Sequence, residues 1–484
     1  MYIRIIFAFM AIINLTSIAI AQQWAPVGDA GLRNDVELLK SYDIIEGPVN
    51  TWPISWKQIT AGINIDGAQS YPGHVMRAID RVRRKIPSKG FRGSVIARYT
   101  NEPSLVRGFG DAARSDADLS ASVGITEENF EANVNVNYRN NVTNNHVNFD
   151  NSYIAAHLGN WSLYAGAIDR WWGPGQDNTL LLSSNARPMM SAGLRRNDPK
   201  AFKSKWLSWI GPWTWDMFVG NMGNKRVIPD ALIAGMRLGF EPANNLEIGF
   251  SRTLQLCGQE RPCDFNTWTD AFIVVGDRDN TGSENEPGNQ LASIDLSYSI
   301  NFGEQSLKLY AEGTAEDEVI LPTQYGRLVG ATFVAPIDEN GGNLSINLEL
   351  SDTSAIKYFF FGKRYPRSLY NHRLYKTGHR FDSRTIGHSF DTNSKLASLT
   401  TAYTRASGDT YRVSFRAGTL NFDNVIGNIV SAQSQKYQSV ELSASKAFDF
   451  GQLELEIAMQ TRTVTLTQGT LPRLAGGLTW RKSI

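Results

Sequence analysis

The sequence predicts a mainly β protein, a large antiparallel transmembrane β-barrel preceded by a small helical region. Three observations predict it. The chain opens on an export signal. After residue 90, apolar and polar residues alternate with period 2 through one segment after another. No helical stretch separates those segments. Composition excludes the main rivals. The 484 residues are 42% hydrophobic, 11% aromatic and 20% charged, with a formal net charge of +1. A mean hydropathy of -0.28 and the lack of a second long apolar run exclude a bundle of membrane helices. A neutral charge balance argues against nucleic acid as partner, and the aromatic content argues against disorder.

Residues 1–21 read as a signal peptide. Arg4 supplies the positive start, Ile5 to Ile13 the apolar run, and Ala19-Ile20-Ala21 the small-x-small cleavage pattern. Residues 22–88 form the helical region. Leu32, Val36 and Leu39 fall at helical spacing, and Gly47-Pro48 stops that segment. Ser55 to Gln58 is a capping-box pattern. From Pro72 to Ile86, Val75, Ile79, Val82 and Ile86 make one stripe, while Arg77, Arg81, Arg83, Arg84 and Lys85 occupy the other face. Such a basic face suits solvent, the helix dipole or acids of a neighbouring element.

Residues 89–484 are the barrel. Phe130, Ala132, Val134, Val136 and Tyr138 alternate with Glu131, Asn133, Asn135, Asn137 and Arg139. The same pattern recurs at Ile294–Ile300, Leu344–Leu350, Tyr411–Ala417 and Leu453–Met459. Allowing about 20–25 residues per strand and connection, this region holds roughly 16 to 20 strands, the size of a porin. A soluble sandwich of that length would split into domains. Short polar breaks at Gly159-Asn160, 241–245, 301–304 and 339–342 alternate with long irregular stretches at about 172–192, 255–290, 314–326, 362–395 and 421–433. Short turns belong to the periplasmic end of such barrels and long loops to the outer end.

Cys257 and Cys263, the only two cysteines, lie six apart with Gly and Pro between them. In an exported protein this reads as a disulfide pinning a loop. No His lies near enough in sequence to complete a metal site, and Asp277 to Gly282 lacks the Glu that closes a calcium loop. The reading is therefore no metal and no cofactor.

Several ordered motifs carry a resemblance. They are Asp169-Arg-Trp-Trp-Gly-Pro-Gly175, Leu182-Ser-Ser-Asn-Ala-Arg-Pro188, Leu194-Arg-Arg-Asn197 and Lys205-Trp-Leu-Ser-Trp-Ile-Gly-Pro-Trp213. Together they resemble the capsule assembly Wzi family of outer-membrane proteins. The resemblance implies an 18-stranded barrel with a helical bundle at its periplasmic end. It also implies a non-enzymatic surface lectin that helps attach capsular polysaccharide.

Two candidate glycan sites stand out. Between Lys363 and His388 lie seven permanent cations, three histidines and three tyrosines against the single acid Asp382. Arg364, Arg367, Arg373 and Arg380 could grip carboxylates in bidentate fashion, with Tyr370 and Tyr375 stacking on sugar faces and His372 and His379 beside them. Folding into the lumen, or contact with lipopolysaccharide, would suit the same composition. The second candidate is Asp169 with Trp171 and Trp172. Trp206, Trp209 and Trp213 fit an interfacial girdle instead. Expected partners are an acidic surface or capsular polysaccharide, outer-membrane lipid and lipopolysaccharide, and the barrel-assembly machinery. A solute channel and a barrel hydrolase are the rival functions.

Overall fold

The computed structural model describes residues 24–63, 71–140, 146–272, 288–316, 324–358 and 361–484. The signal segment and the Asp277–Gly282 run lie outside the described residues. Eighteen antiparallel strands close into one barrel. They are β1 (Gly90–Thr100), β2 (Ala117–Thr126), β3 (Phe130–Arg139), β4 (Tyr153–Leu158), β5 (Trp161–Ala167) and β6 (Met190–Arg196). Next come β7 (Trp213–Asn221), β8 (Leu232–Ala243), β9 (Leu246–Leu256), β10 (Asn289–Phe302), β11 (Gln305–Glu316) and β12 (Gln324–Pro336). The last six are β13 (Asn343–Lys357), β14 (Lys395–Thr404), β15 (Thr410–Leu420), β16 (Gln435–Phe448), β17 (Gly451–Gln460) and β18 (Leu474–Ser483). Each pairs with its neighbours in sequence. β18 closes on β1, with Leu478 opposite Tyr99 and Trp480 opposite Ala97.

The period-2 pattern decides which side is which, and it is inside-out. On β10, Ile294, Leu296 and Tyr298 are each 45% exposed, while Ser293, Asp295 and Ser297 are buried. Leu348 and Leu350 on β13, Phe415 on β15 and Leu455 and Ile457 on β17 are likewise exposed. Apolar residues face outward all round and polar ones face the lumen, the arrangement that hydrocarbon surroundings select.

The short breaks read from sequence form tight hairpins at one end. Gly159 (φ 60°), Asn245 (φ 61°) and Gly303 (φ 62°) take the left-handed conformation such turns require. The long connections gather at the opposite end. One long connection departs from this division: 197–212, between β6 and β7, lies at the hairpin end and carries Trp206 and Trp209 in exposed positions.

Three helices also occupy the hairpin end: α1 (Ala30–Ser41), α2 (Trp56–Ile63) and α3 (Gly73–Lys85). Asp29 caps α1 by accepting from Leu32 N at 2.8 Å. The capping box expected at α2 is half formed. Ser55 Oγ accepts from Lys57 N at 3.2 Å, but the Gln58 amide turns away to the carbonyls of Glu46 and Pro48, stitching down the preceding loop. Leu32, Val36 and Leu39 of α1 meet Val75, Ile79 and Val82 of α3, as their stripes predict. The same core includes Phe109, Trp171 and Val334 from the barrel and its loops, so the helices share their interior with the barrel. The basic face of α3 is largely partnered: Arg81 forks onto Asp35 at 2.6 Å, and Arg84 reaches the Ser407 carbonyl at 3.3 Å.

Candidate functional site

An eighteen-stranded barrel encloses more space than wall side chains can fill. Here the connection between β5 and β6 turns inward. Trp171-Trp172 pairs with Thr51-Trp52 as a two-residue ribbon inside the lumen. The adjacent tryptophans point to opposite sides, as a strand demands. Both nevertheless lie in the lumen, because the ribbon itself runs within the barrel and not in its wall. Trp171 is fully buried against Phe109 (5.7 Å between ring centroids), with the Arg33 guanidinium 4.6 Å over the Phe109 ring. Trp172 packs on Phe218 at 5.6 Å. Both are structural anchors of a plug.

The wall grips this plug through carboxylates. Glu247 accepts from the backbone N–H groups of Val49 (2.8 Å) and Asn50 (2.9 Å). Glu312 accepts from Leu180 N at 2.9 Å and from the Thr179 hydroxyl at 3.0 Å. Glu349 accepts from Gln176 N (2.8 Å) and Asn178 N (3.0 Å). Nearby, Arg237 and Asp295 form a buried ion pair at 2.6 Å, and Lys308 meets Glu37 of α1 at 3.1 Å. Inspection of the sequence for binding motifs passed over these acids. Their signal was position: an acid in the inward row of a strand needs a partner that only the lumen can supply.

The basic loop divides. Arg364, Arg367 and Arg373 are exposed at the loop end, and His372 is half-buried, with Nδ1 accepting from the N–H groups of Leu374 and Tyr375. Arg364 lies over the Phe422 ring at 5.1 Å. Tyr370, Tyr375, His379 and Arg380 instead point into the plug. Tyr370 donates to the Leu180 carbonyl, and Tyr375 donates to the Cys257 carbonyl at 3.0 Å. His379 Nε2 donates to Leu181 O at 2.8 Å, and Arg380 is held by Asp391 at 2.8 Å. The Cys257–Cys263 disulfide is formed, so the Tyr375 contact ties the basic loop to a pinned one. Burial pushes His379 down to about 4 and His388 to about 3, which keeps both neutral.

His388 also carries a buried Ser–His contact, Ser351 Oγ to Nε2 at 2.8 Å; another, His157 Nδ1 to Ser162 Oγ at 2.7 Å, lies in the wall between β4 and β5. The His388 Nδ1 accepts the Phe390 N–H at 3.1 Å, so the ring proton sits on Nε2 and faces the hydroxyl. That tautomer cannot deprotonate Ser351.

Asp169 is a partly accessible member of its candidate group. It accepts from Arg114 at 3.2 Å and Asn151 at 2.9 Å, and burial raises its carboxyl above the ordinary value. It lines a cavity of about 730 Å³ between the helices and the inward faces of β1–β3 and β15–β18. The lumen thus has a filled half along β8–β13 and an open half.

The model of the family described as "Capsule assembly protein Wzi" matches residues 90–469. The chain belongs to this family. The solved structure of Wzi, an outer membrane protein involved in group 1 capsule assembly in Escherichia coli and a carbohydrate-binding β-barrel, is similar with a TM-score of 0.82 at 21% identity. That likeness covers 96% of this chain and 99% of that one, and it is a likeness of fold. An uncharacterized 55.8 kDa protein in the cps region of Klebsiella pneumoniae is 29% identical over 301 residues, 60% of this chain and 58% of the relative. The chain therefore spans less than two thirds of the curated relative it matches. The Wzi family match begins at the first barrel strand, so it rests on the barrel rather than on the helices.

Proposed function

We propose that the protein sits in the outer membrane, helical end in the periplasm, and binds capsular or another surface polysaccharide so that it stays attached to the cell. The observation that carries this is a Wzi-family barrel whose lumen is occupied by its own residues, bonded to the wall. Such an interior favours holding over passage. The similar Escherichia coli barrel, which binds carbohydrate, supports the same reading. Exposed Arg364, Arg367 and Arg373 supply the outer contact, because guanidinium forks match the carboxylates of an acidic glycan.

The test is deletion of the gene, with cell-attached and released polysaccharide measured separately. Release without loss of synthesis is expected, with reattachment on complementation. Complementation by a triple Arg364→Glu, Arg367→Glu, Arg373→Glu variant is expected to restore attachment only partly, with the deficit largest at low salt and shrinking as salt screens the charges. Unchanged attachment in the deletion strain refutes the proposal. A steady open-channel current from the purified protein in planar bilayers would support the solute channel instead.

A further inference from the structure

The open half of the lumen has a chemistry the plug does not use. Its volume, about 730 Å³, lies within the range of about 300–1,000 Å³ typical of ligand sites. Toward the loops it is closed by Val106 and Arg107, both buried. Toward the helices its rim carries exposed Arg84, Lys85 and Gln452. The chamber therefore faces the side on which the helices sit.

One wall is a ladder of amides and hydroxyls. Asn133, Asn135 and Asn137 follow each other along the inward row of β3, with Ser120 and Ser122 beside them on β2. Facing them, Arg412 and Ser443 stand on the inward rows of β15 and β16. Among the described residues Arg412 makes no ion pair within 4.0 Å.

The ceiling adds an independent observation. Arg98, Arg107 and Arg139 are 8%, 7% and 7% exposed. Arg98 pairs with Asp111 and Asp118, and Arg139 with Asp150 at 2.8 Å and, through Nε, with Asp118 at 3.5 Å, whereas the Arg107 Nε has no hydrogen-bond partner. Asp118, 3% exposed, has an unpartnered Oδ1. A buried guanidinium with unused bonding capacity facing a cavity stands out there, because buried polar groups are nearly always satisfied. Arg107 has no carboxylate partner at all among the described residues. It donates to the Asn185 carbonyl at 3.1 Å. Burial, and then the charges of Arg384, Arg114 and Arg139, hold its guanidinium well below the ordinary value, with Asp118 acting against them. A ligand carboxylate would supply the counter-charge Arg107 lacks, while the amide oxygens of Asn133 and Asn135, whose N–H groups already donate to the Asn151 and Asp150 carbonyls, would accept from ligand hydroxyls.

We propose that this chamber is a second glycan site, which takes a carboxylate-bearing oligosaccharide segment from the periplasmic side, the carboxylate on Arg107 and the sugar hydroxyls on the Asn133–Asn137 ladder. The inference rests on the polysaccharide-binding reading above and adds a location, a direction of entry and a ligand class. It separates two contacts: an outer one through the basic loop and an inner one through the lumen.

The experiment titrates oligogalacturonate hexamer into the full-length protein in detergent by calorimetry, with maltohexaose as the uncharged control. Wild type is expected to bind the acidic hexamer at least tenfold more tightly than the neutral one. Arg107→Gln is expected to lose tenfold or more. Ser443→Trp, which fills the chamber from a different strand without touching the ceiling, is expected to lose as much. The outer-loop triple variant is expected to keep tenfold or better preference for the acid. Heat-modifiable gel mobility checks that each barrel is folded. Wild-type affinity in both Arg107→Gln and Ser443→Trp overturns the chamber, as does loss of binding confined to the outer-loop triple variant. Absence of binding by wild type also overturns it. None of these outcomes bears on the deletion experiment, which alone decides whether the protein retains polysaccharide.

Discussion

Replacing Glu349 by Ala tests the claim that wall carboxylates hold the plug. Glu349 is 2% exposed and accepts from the N–H groups of Gln176 and Asn178. Hydrogen bonds to a charged acceptor contribute about 1.5–3 kcal/mol each, and their loss leaves two buried N–H groups unpaired. The expected local cost is therefore about 3–6 kcal/mol, a roughly 10²- to 10⁴-fold rise in the open population of this segment. Strand pairing of β13 does not depend on the side chain, so the barrel should persist. Hydrogen exchange read by mass spectrometry on a peptide spanning 174–180 is the assay, because it reports the released amides themselves. Exchange there should speed up by about a hundredfold or more, while β10 and β13 stay protected. Glu349→Gln should release about half as much, since its amide can accept from one N–H group but presents a donor to the other. Unchanged protection at 174–180 in the alanine variant would refute the anchoring argument.

Three further outcomes follow from the same structure. Asp295→Ala should lower barrel stability by about 3–5 kcal/mol, read as a drop in urea midpoint, because it strands the Arg237 guanidinium, 1% exposed, without its counter-charge. His379 and His388 should make the plug acid-sensitive. Their folded values lie below the ordinary 6.5, so the opened state binds protons first, and stability is full above about pH 6.5 and falls as pH drops toward 4. The loss at pH 5 is about 2 kcal/mol for each, visible as faster proteolysis of 363–394, and a flat pH profile between 7 and 5 would contradict it. Reducing Cys257–Cys263 should free a seven-residue loop worth about 2 kcal/mol by chain entropy and loosen the Tyr375 contact, measurable as increased proteolysis near Lys376 and Arg373.

The barrel was legible because its rule is local. Each strand must turn apolar side chains to lipid, so Phe130–Tyr138 or Leu453–Met459 announces itself within nine residues. Helical stripes at Leu32–Leu39 and Val75–Val82 were legible for the same reason. The site was not, because it depends on where loops go. Composition identified 363–388 as basic and aromatic, but nothing local tells Arg373, which faces out, from Arg380, whose partner Asp391 lies eleven residues on. The Trp171-Trp172 pair looked like a sugar platform for a similar reason: period 2 fixes opposite directions and is silent on a ribbon drawn inside the barrel. The inward acids were readable as positions on strands, yet their partners, Val49, Gln176 and Leu180, are up to about two hundred residues away.

Those distant partners bear on function more than the loop composition does. Glu247, Glu312 and Glu349 each hold two donors from the helices or the plug, on three different strands. At about 3 kcal/mol per anchor, complete withdrawal costs roughly 9 kcal/mol before any apolar contact is counted. An open fraction near one in a million follows, too rare for steady conduction of solutes. What remains accessible is each mouth: the exposed arginines among the loops and the polar chamber beneath the helices. On the proposed reading, the arginines at one mouth and the chamber at the other would grip a polymer from both sides of the membrane while the barrel lets little through.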